Sequence, residues 1–449
     1  MTDLDGRIRV THADDGARSR AAVFFRFFIM IPHFIWLGLW SIGALVVAPI
    51  HWVIALVRGG PAEWAHAFYS AYVRYALHVY AYTYLAAGRY PGFLGEPGYV
   101  IEAEFPPPGP QRRWTIALRI FLALPALVLA SFLANGAGGG YGSGGYGGTG
   151  EAGDAGSFAV SYSGLGFTLA VLAWFASLAL ARTPTGLRDA QVYCQGYAAQ
   201  AFGYLLLLND RYPTSDPHAV PLDPMPAHPV RLQVADDRER NRLTVFFRLL
   251  LAIPYLVWWA LWSIAAFFAA IAGWFAALVT GRLPDPLHRF LGAFLRYGTH
   301  VNSFILLLGG PFPGFTGRPG SYPVELEIDE PQPQHRAKTA FRVILAIPAF
   351  AAAGAFGAAA GVAAVGAWFS VLATGRVPGG LYGLIGWAVR YGAQTHGYFL
   401  LLTERYPYTG PDGRGRPAAE PPPAPEQPEA LGVAPERPGG PTPVGPAAG

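Results

Sequence analysis

Apolar and polar positions alternate along this chain on two scales. Short period-two segments, at 7–10, 100–104, 230–234 and 324–328, read as half-buried strands. Each is followed by a charged linker and then by a long apolar block, of which Val245 to Val279 is the clearest: 35 residues with one charge, Arg248. About 20 apolar residues already span a bilayer, so the block predicts a membrane helix. The blocks open with FRFFIMIP (25–32), LRIFLALP (118–125), FRLLLAIP (247–254) and FRVILAIP (341–348), with six residues from arginine to proline each time. They close near Trp52, Trp174, Trp274 and Trp368, and a third element ends in LAAGRYP (85–91), LLLNDRYP (206–213), LLLGGPFP (306–313) and LLLTERYP (400–407). Shared landmarks in one order predict four tandem repeats.

Spacing divides the units. From opening proline to closing tryptophan is 20 residues in three of them and 49 in the second (Pro125–Trp174). The surplus holds a glycine-rich run at 136–156 whose backbone would lack partners in lipid, which predicts two helices, near 115–134 and 160–181, joined by an exposed loop. Elsewhere the block is either one long helix kinked at proline or a tight hairpin. The expected organisation is repeat one at 1–98, repeat two at 99–214, a linker at 215–228, repeat three at 229–320, repeat four at 321–408, and a Pro/Ala-rich disordered tail at 409–449.

The expected fold class is therefore mainly α, a polytopic α-helical membrane protein with a short strand leading each repeat. Two crossings per unit would bring the strands to one face. Basic residues concentrate in the strand-bearing segments, so the positive-inside rule puts strands and both termini in the cytoplasm.

Composition agrees. Charged residues are 13% of the chain, against roughly 25% in soluble proteins. Lys338 is the one lysine, the usage of a GC-rich bacterial genome, and the expected location is the bacterial plasma (inner) membrane. The N-terminal twenty residues are polar and acid-bearing, unlike a signal peptide. A net charge of +4 without an aromatic-interleaved basic patch argues against nucleic acid. The single Cys194 leaves no disulfide framework or cysteine-based zinc site.

The order strand–FRxxLAIP–WFxxLxTGRxP–RYxxxxxxYxLLLTxRYP resembles the bacterial membrane family called domain of unknown function 4389 over about residues 7–408. Units three and four match almost throughout, while unit one departs at RGGP and LAAG and unit two lacks the third-element arginine. The resemblance implies a membrane protein and no particular activity.

Candidate chemistry lies in the third element. Arg74, His78 and Tyr82, then Arg296, His300 and Phe304, then Arg390, Gln394 and Tyr398 recur at intervals of four and share a helix face; the second unit has Gly196, Gln200 and Tyr204. An arginine at the bilayer centre costs about 2.5–3.5 kcal/mol on the insertion scale, so each must find carbonyls, water or an anion. The structural alternative bonds them to backbone carbonyls at inter-unit seams or lets them snorkel to an interface. The functional one makes Arg74, His78, Arg296, His300, Arg390 and Gln394 a polar cleft for phosphate or carboxylate, such as a lipid headgroup. The opening arginines, Arg26, Arg119, Arg248 and Arg342, read as interfacial anchors, and the block-closing tryptophans as an aromatic belt. No P-loop, nucleophile elbow or HExxH is present, and the histidines mostly differ between units. No cofactor and no enzymatic activity are expected. The partners are membrane lipids and proteins of unknown identity. The leading functional class is a membrane scaffold or organiser; alternatives are an arginine-cleft transporter or anionic-lipid handler, and a membrane-shaping hairpin protein.

Overall fold

The computed structural model describes residues 7–134, 164–222, 224–412 and 445. The glycine-rich insert at 136–156 and the tail from 413, Gly445 apart, lie outside the described residues.

One element order recurs. The first segment has strand β1 (Arg9–His12), a five-residue helix α1 (Arg20–Phe24), a 33-residue helix α2 (Arg26–Arg58) and a 21-residue helix α3 (Glu63–Thr83). The third has β3 (Val230–Val234), α8 (Arg242–Phe246), α9 (Arg248–Thr280) and α10 (Asp285–Ile305). The fourth has β4 (Val324–Ile328), α11 (Arg336–Ala340), α12 (Arg342–Thr374) and α13 (Gly379–Phe399). In the second, β2 (Ile101–Glu104) and α4 (Arg113–Ala117) precede two 16-residue helices, α5 (Arg119–Ala134) and α6 (Leu165–Leu180), then α7 (Thr185–Leu205). The helix–helix split expected there is present. Elsewhere the block is one helix, continuous through Pro32, Pro254 and Pro348, and not a hairpin.

Local chemistry sets the ends. One residue separates each short helix from the long one (Phe25, Leu118, Phe247, Phe341), with φ between −87° and −94° and ψ between 3° and 10°, a bend rather than a turn. The long helices stop at Gly59, Gly281 and Gly375, whose left-handed φ of 78°, 77° and 79° suits a residue without Cβ. The 21-residue helices stop differently. Leu85, Leu207, Leu307 and Leu401 take positive φ while almost wholly buried, so burial of the side chain outweighs a left-handed cost of about 1–2 kcal/mol.

Neighbouring segments interlock in pairs. β1 pairs with β2, and β3 with β4, antiparallel, giving two separate two-stranded sheets among the described residues. The indole of Trp52 donates to Ile116 O and that of Trp174 to Val23 O; Trp274 donates to Thr339 O and Trp368 to Val245 O. Each tryptophan thus bonds the short helix of the paired segment, a tertiary role that the sequence reading did not foresee. Arg242 bonds Ala373 O and Arg336 bonds Val279 O, so the start of each long helix meets the end of the other. α9 and α12 are therefore antiparallel. The 21-residue helices lie inside and are the most buried, and the alanine-rich α12 packs on α5 and α6, joining the two pairs.

Two sequence expectations change here. The stretch read as a linker, 215–228, packs on the fold: a 3-10 turn at Pro217–Ala219 sits against α13, and Tyr193 Oη donates to Ser215 O at 2.7 Å. The start of the expected disordered tail, Thr409 to Asp412, also packs, with Trp387 donating to Gly410 O at 3.1 Å. Short polar stretches look free by composition, yet these two close the ends of the seam between second and fourth segments.

Candidate functional site

The 21-residue helices carry the candidate polar residues on the face turned toward the strands. Arg74 Nε lies 2.6 Å from Glu102 Oε1 on β2, and Arg74 Nη1 donates to Gly95 O at 3.3 Å. Glu102 Oε2 accepts from Gly98 N at 2.9 Å and lies 3.8 Å from His78 Nε2. The third segment repeats this arrangement. Arg296 Nε is 2.9 Å from Glu325 Oε1 on β4, donates to Leu326 O at 3.0 Å, and Arg296 Nη1 reaches Gly317 O at 3.2 Å. Glu325 Oε2 accepts from Gly320 N at 2.8 Å. His300 is fully buried beside the Tyr322 ring.

In the fourth segment the carboxylate comes from further along the chain. Arg390 lies 2.7 Å from Asp412 and donates to Gly410 O at 2.5 Å. Gln394 Nε2 donates to Val230 O at 3.2 Å, and its Oε1 accepts from Tyr408 N at 3.0 Å. Gln200 does the same with Thr214 N at 3.0 Å. Gly196, where the second segment lacks an arginine, has Val10 of β1 lying against it: a Cβ there would stand 3.3 Å from Val10 Cγ2. The strand's apolar side chain occupies the arginine's place.

So each candidate arginine faces a protein carboxylate. Sequence reading missed Glu102 and Glu325 as partners, although both stand in alternating segments (VIEAE, VELEI) 28 and 29 residues after their arginines. An ion pair with side chains less than a fifth exposed satisfies the charge without an external anion.

The opening arginines are placed otherwise than as interfacial anchors. Arg26, Arg119, Arg248 and Arg342 are at most 2% exposed. Arg26 donates to Tyr82 O and to Ala87 O; Arg248 to Phe304 O and Gly309 O; Arg342 to Tyr398 O and Thr403 O, the last two at 2.7 and 2.8 Å. Arg119 bonds Gln111 and reaches Asp210 at 3.2 Å. Their guanidinium groups lie 4.0–4.5 Å from the ring centroids of Tyr82, Tyr204, Phe304 and Tyr398. The physical reason is local: a helix end leaves carbonyls without intrahelical donors, and a cation is favoured at that end of the dipole. Arg26, Arg248 and Arg342 each fasten the start of a long helix to the end of its 21-residue neighbour, while Arg119 is held by the side chains of Gln111 and Asp210.

A cavity of about 530 Å³ opens beside the third of these arginines, lined among others by Asp236, Asp237, Arg240, Arg248 and Phe312. Asp236 and Arg240 are paired at 2.7 Å, as Asp14 and Arg18 are in the first segment. Among the described residues no group of three or more His, Cys, Asp or Glu gathers that could hold a metal ion.

Three described helices, α2, α9 and α12, are long and apolar enough to cross a membrane by length and composition. No curated protein and no solved structure matches the chain. A family profile does: "Domain of unknown function (DUF4389)" matches residues 20–95, 242–315 and 336–409. The chain thus carries a repeated DUF4389 module, matched at three places along it.

Proposed function

We propose that the protein is a non-enzymatic membrane scaffold of the bacterial plasma membrane, in which the second segment is a fourth, diverged copy of the module. The observation that carries this reading is the use of its polar groups: Arg74, Arg296 and Arg390 are matched by Glu102, Glu325 and Asp412, and Arg26, Arg248 and Arg342 by helix-end carbonyls. Side chains that could have formed an anion cleft are engaged inside the protein, with Arg74, Arg296 and Gln394 joining one segment to another. A transporter or anionic-lipid handler would leave at least one of these cations for its ligand.

The test compares wild type with Arg296→Gln, Arg390→Gln and Arg296→Lys, purified under mild conditions, for bound phospholipid by mass spectrometry and for thermal unfolding. Lower stability with unchanged anionic-lipid content is the expected result. Loss of anionic lipid at unchanged stability, partly restored in the lysine variant, would overturn the scaffold reading in favour of the lipid handler.

A further inference from the structure

We infer that the long helices lie in the plane of the membrane, seated in the acyl chains of a single leaflet, and do not cross the bilayer. This rests on the membrane reading and revises the eight-crossing topology that the sequence suggests.

The first observation is the path of the connector between paired segments. α9 starts where α10 ends, because Arg248 bonds Phe304 O, and α12 starts where α9 ends, because Gln334 N donates to Gly281 O at 2.7 Å. If α9, α10 and α12 all crossed, the chain between α10 and α11 would have to cross too. That stretch runs the length of the helices in extended form: Phe315 O accepts from Trp258 near the start of α9, Glu325 pairs with Arg296 midway along α10, and Gln334 reaches Gly281 just past the end of α9. The first pair repeats the path, with Trp36 bonding Phe93 O, Arg74 pairing with Glu102, and Gln111 N donating to Gly59 O at 2.8 Å. Both stretches are irregular apart from one short strand each, β2 and β4, of an open two-stranded sheet, and both are exposed at Arg89, Glu96, Glu104, Arg318 and Glu330. Lipid-exposed irregular backbone with charged side chains does not occur in hydrocarbon.

The second is length. Leu249 and Val279, at the two ends of α9, are 72% and 74% exposed. Thirty residues separate them, about 45 Å along a helix, against a hydrocarbon core of about 30 Å. A crossing that kept both in lipid would tilt the helix by about 50°, beyond the roughly 0–40° that spanning helices adopt.

The third is the second segment. α5 ends at Ala134 and α6 begins at Leu165, with Gly166 packed on the Leu133 and Ala134 carbonyls. Counted from the opening arginine, this is the midpoint of the long helix, which a crossing would place at the bilayer centre. The intervening sequence is glycine-rich and carries Glu151 and Asp154. An in-plane helix puts no such demand on it. The occupant of the exposed apolar face is then one leaflet's acyl chains, with the connectors and strands facing water.

Single cysteines at Leu249, Leu256, Ile264, Phe268, Phe275 and Val279, in a full-length chain with Cys194→Ala, are spin-labelled in vesicles of mixed zwitterionic and anionic phospholipid. Depth is read from oxygen and nickel-complex accessibility. An in-plane helix gives a uniform depth of about 5–10 Å below the headgroups. A profile deepest at Ile264, with Leu249 and Val279 in opposite headgroup layers, would overturn the inference. Sidedness supplies a second readout: cysteines at Asp237 and Gly281 should both resist an impermeant maleimide in intact cells and both react in inverted vesicles. Labelling of one alone in intact cells would overturn it. A protein that fails to float with vesicles at all defeats the membrane reading itself, a distinct outcome from a deep-centred profile.

Discussion

The pair Arg296–Glu325 sits between two segments and tests whether polar groups hold the repeats together. Glu325→Gln keeps the shape of the side chain and removes its charge, leaving Arg296 with Leu326 O and Gly317 O as acceptors. The pair's side chains are 12% and 19% exposed, so water screens the lost interaction only partly. A charged hydrogen bond of this kind contributes about 1.5–3 kcal/mol, and breaking a fully buried pair costs about 3–5 kcal/mol. With two carbonyls retained, about 2–3 kcal/mol is expected. For a cooperative unit of the size of two segments that corresponds to roughly 4–12 °C. Apparent Tm is measured in one detergent at one scan rate, because large membrane-bound chains unfold irreversibly. Arg296→Gln and the double variant complete a cycle with an expected coupling of about 1–2 kcal/mol. Asp285→Asn serves as a control, since the Arg282–Asp285 pair is more than half exposed and such pairs contribute little. Single variants no less stable than that control, or strict additivity in the double variant, would refute the reasoning.

Other expectations follow from single contacts. Trp274→Phe removes the indole bond to Thr339 O and should cost about 1 kcal/mol, read as a lower Tm with helix content by circular dichroism unchanged. Leu307→Gly should destabilise despite relieving a left-handed φ of 66°, because the lost burial, about 2–5 kcal/mol, exceeds the strain of about 1–2 kcal/mol; a higher Tm would reverse that ranking. Gly166→Ala should lower Tm, since a Cβ there would lie 2.5 Å from Ala134 O, and Gly361→Ala, with open space, should not. Burial, reinforced by Arg405 and Arg390, lowers the His228 imidazole from 6.5 to about 4. The folded state refuses a proton that the unfolded chain accepts, so stability is complete above about pH 6.5 and falls as pH drops toward 4. His228→Asn should flatten that acid limb of the Tm–pH curve.

Much of the fold is written in local pattern. Apolar length and the glycines after three of the blocks marked where the apolar helices lie and where they stop, while the choice between one helix and a hairpin, and the bend just before each opening arginine, came from the structure. The fixed interval from Arg26 to Tyr82, Arg248 to Phe304 and Arg342 to Tyr398 was equally present in the sequence, and it marks the clamp that the anchor reading overlooked. Alternation in VIEAE and VELEI determined that Glu102 and Glu325 each lie on the face of their own strand opposite Ile101 and Ala103, or Val324 and Leu326. It could not determine that this face meets an arginine, because a carboxylate facing water and one facing a cation give the same period of two. That Val10 fills the place left by Gly196, that Asp412 returns to Arg390, and that neighbouring long helices run antiparallel were decided by tertiary structure alone. Hydropathy records how apolar a helix is but carries no direction, and direction comes only from the contacts that join one segment to the next.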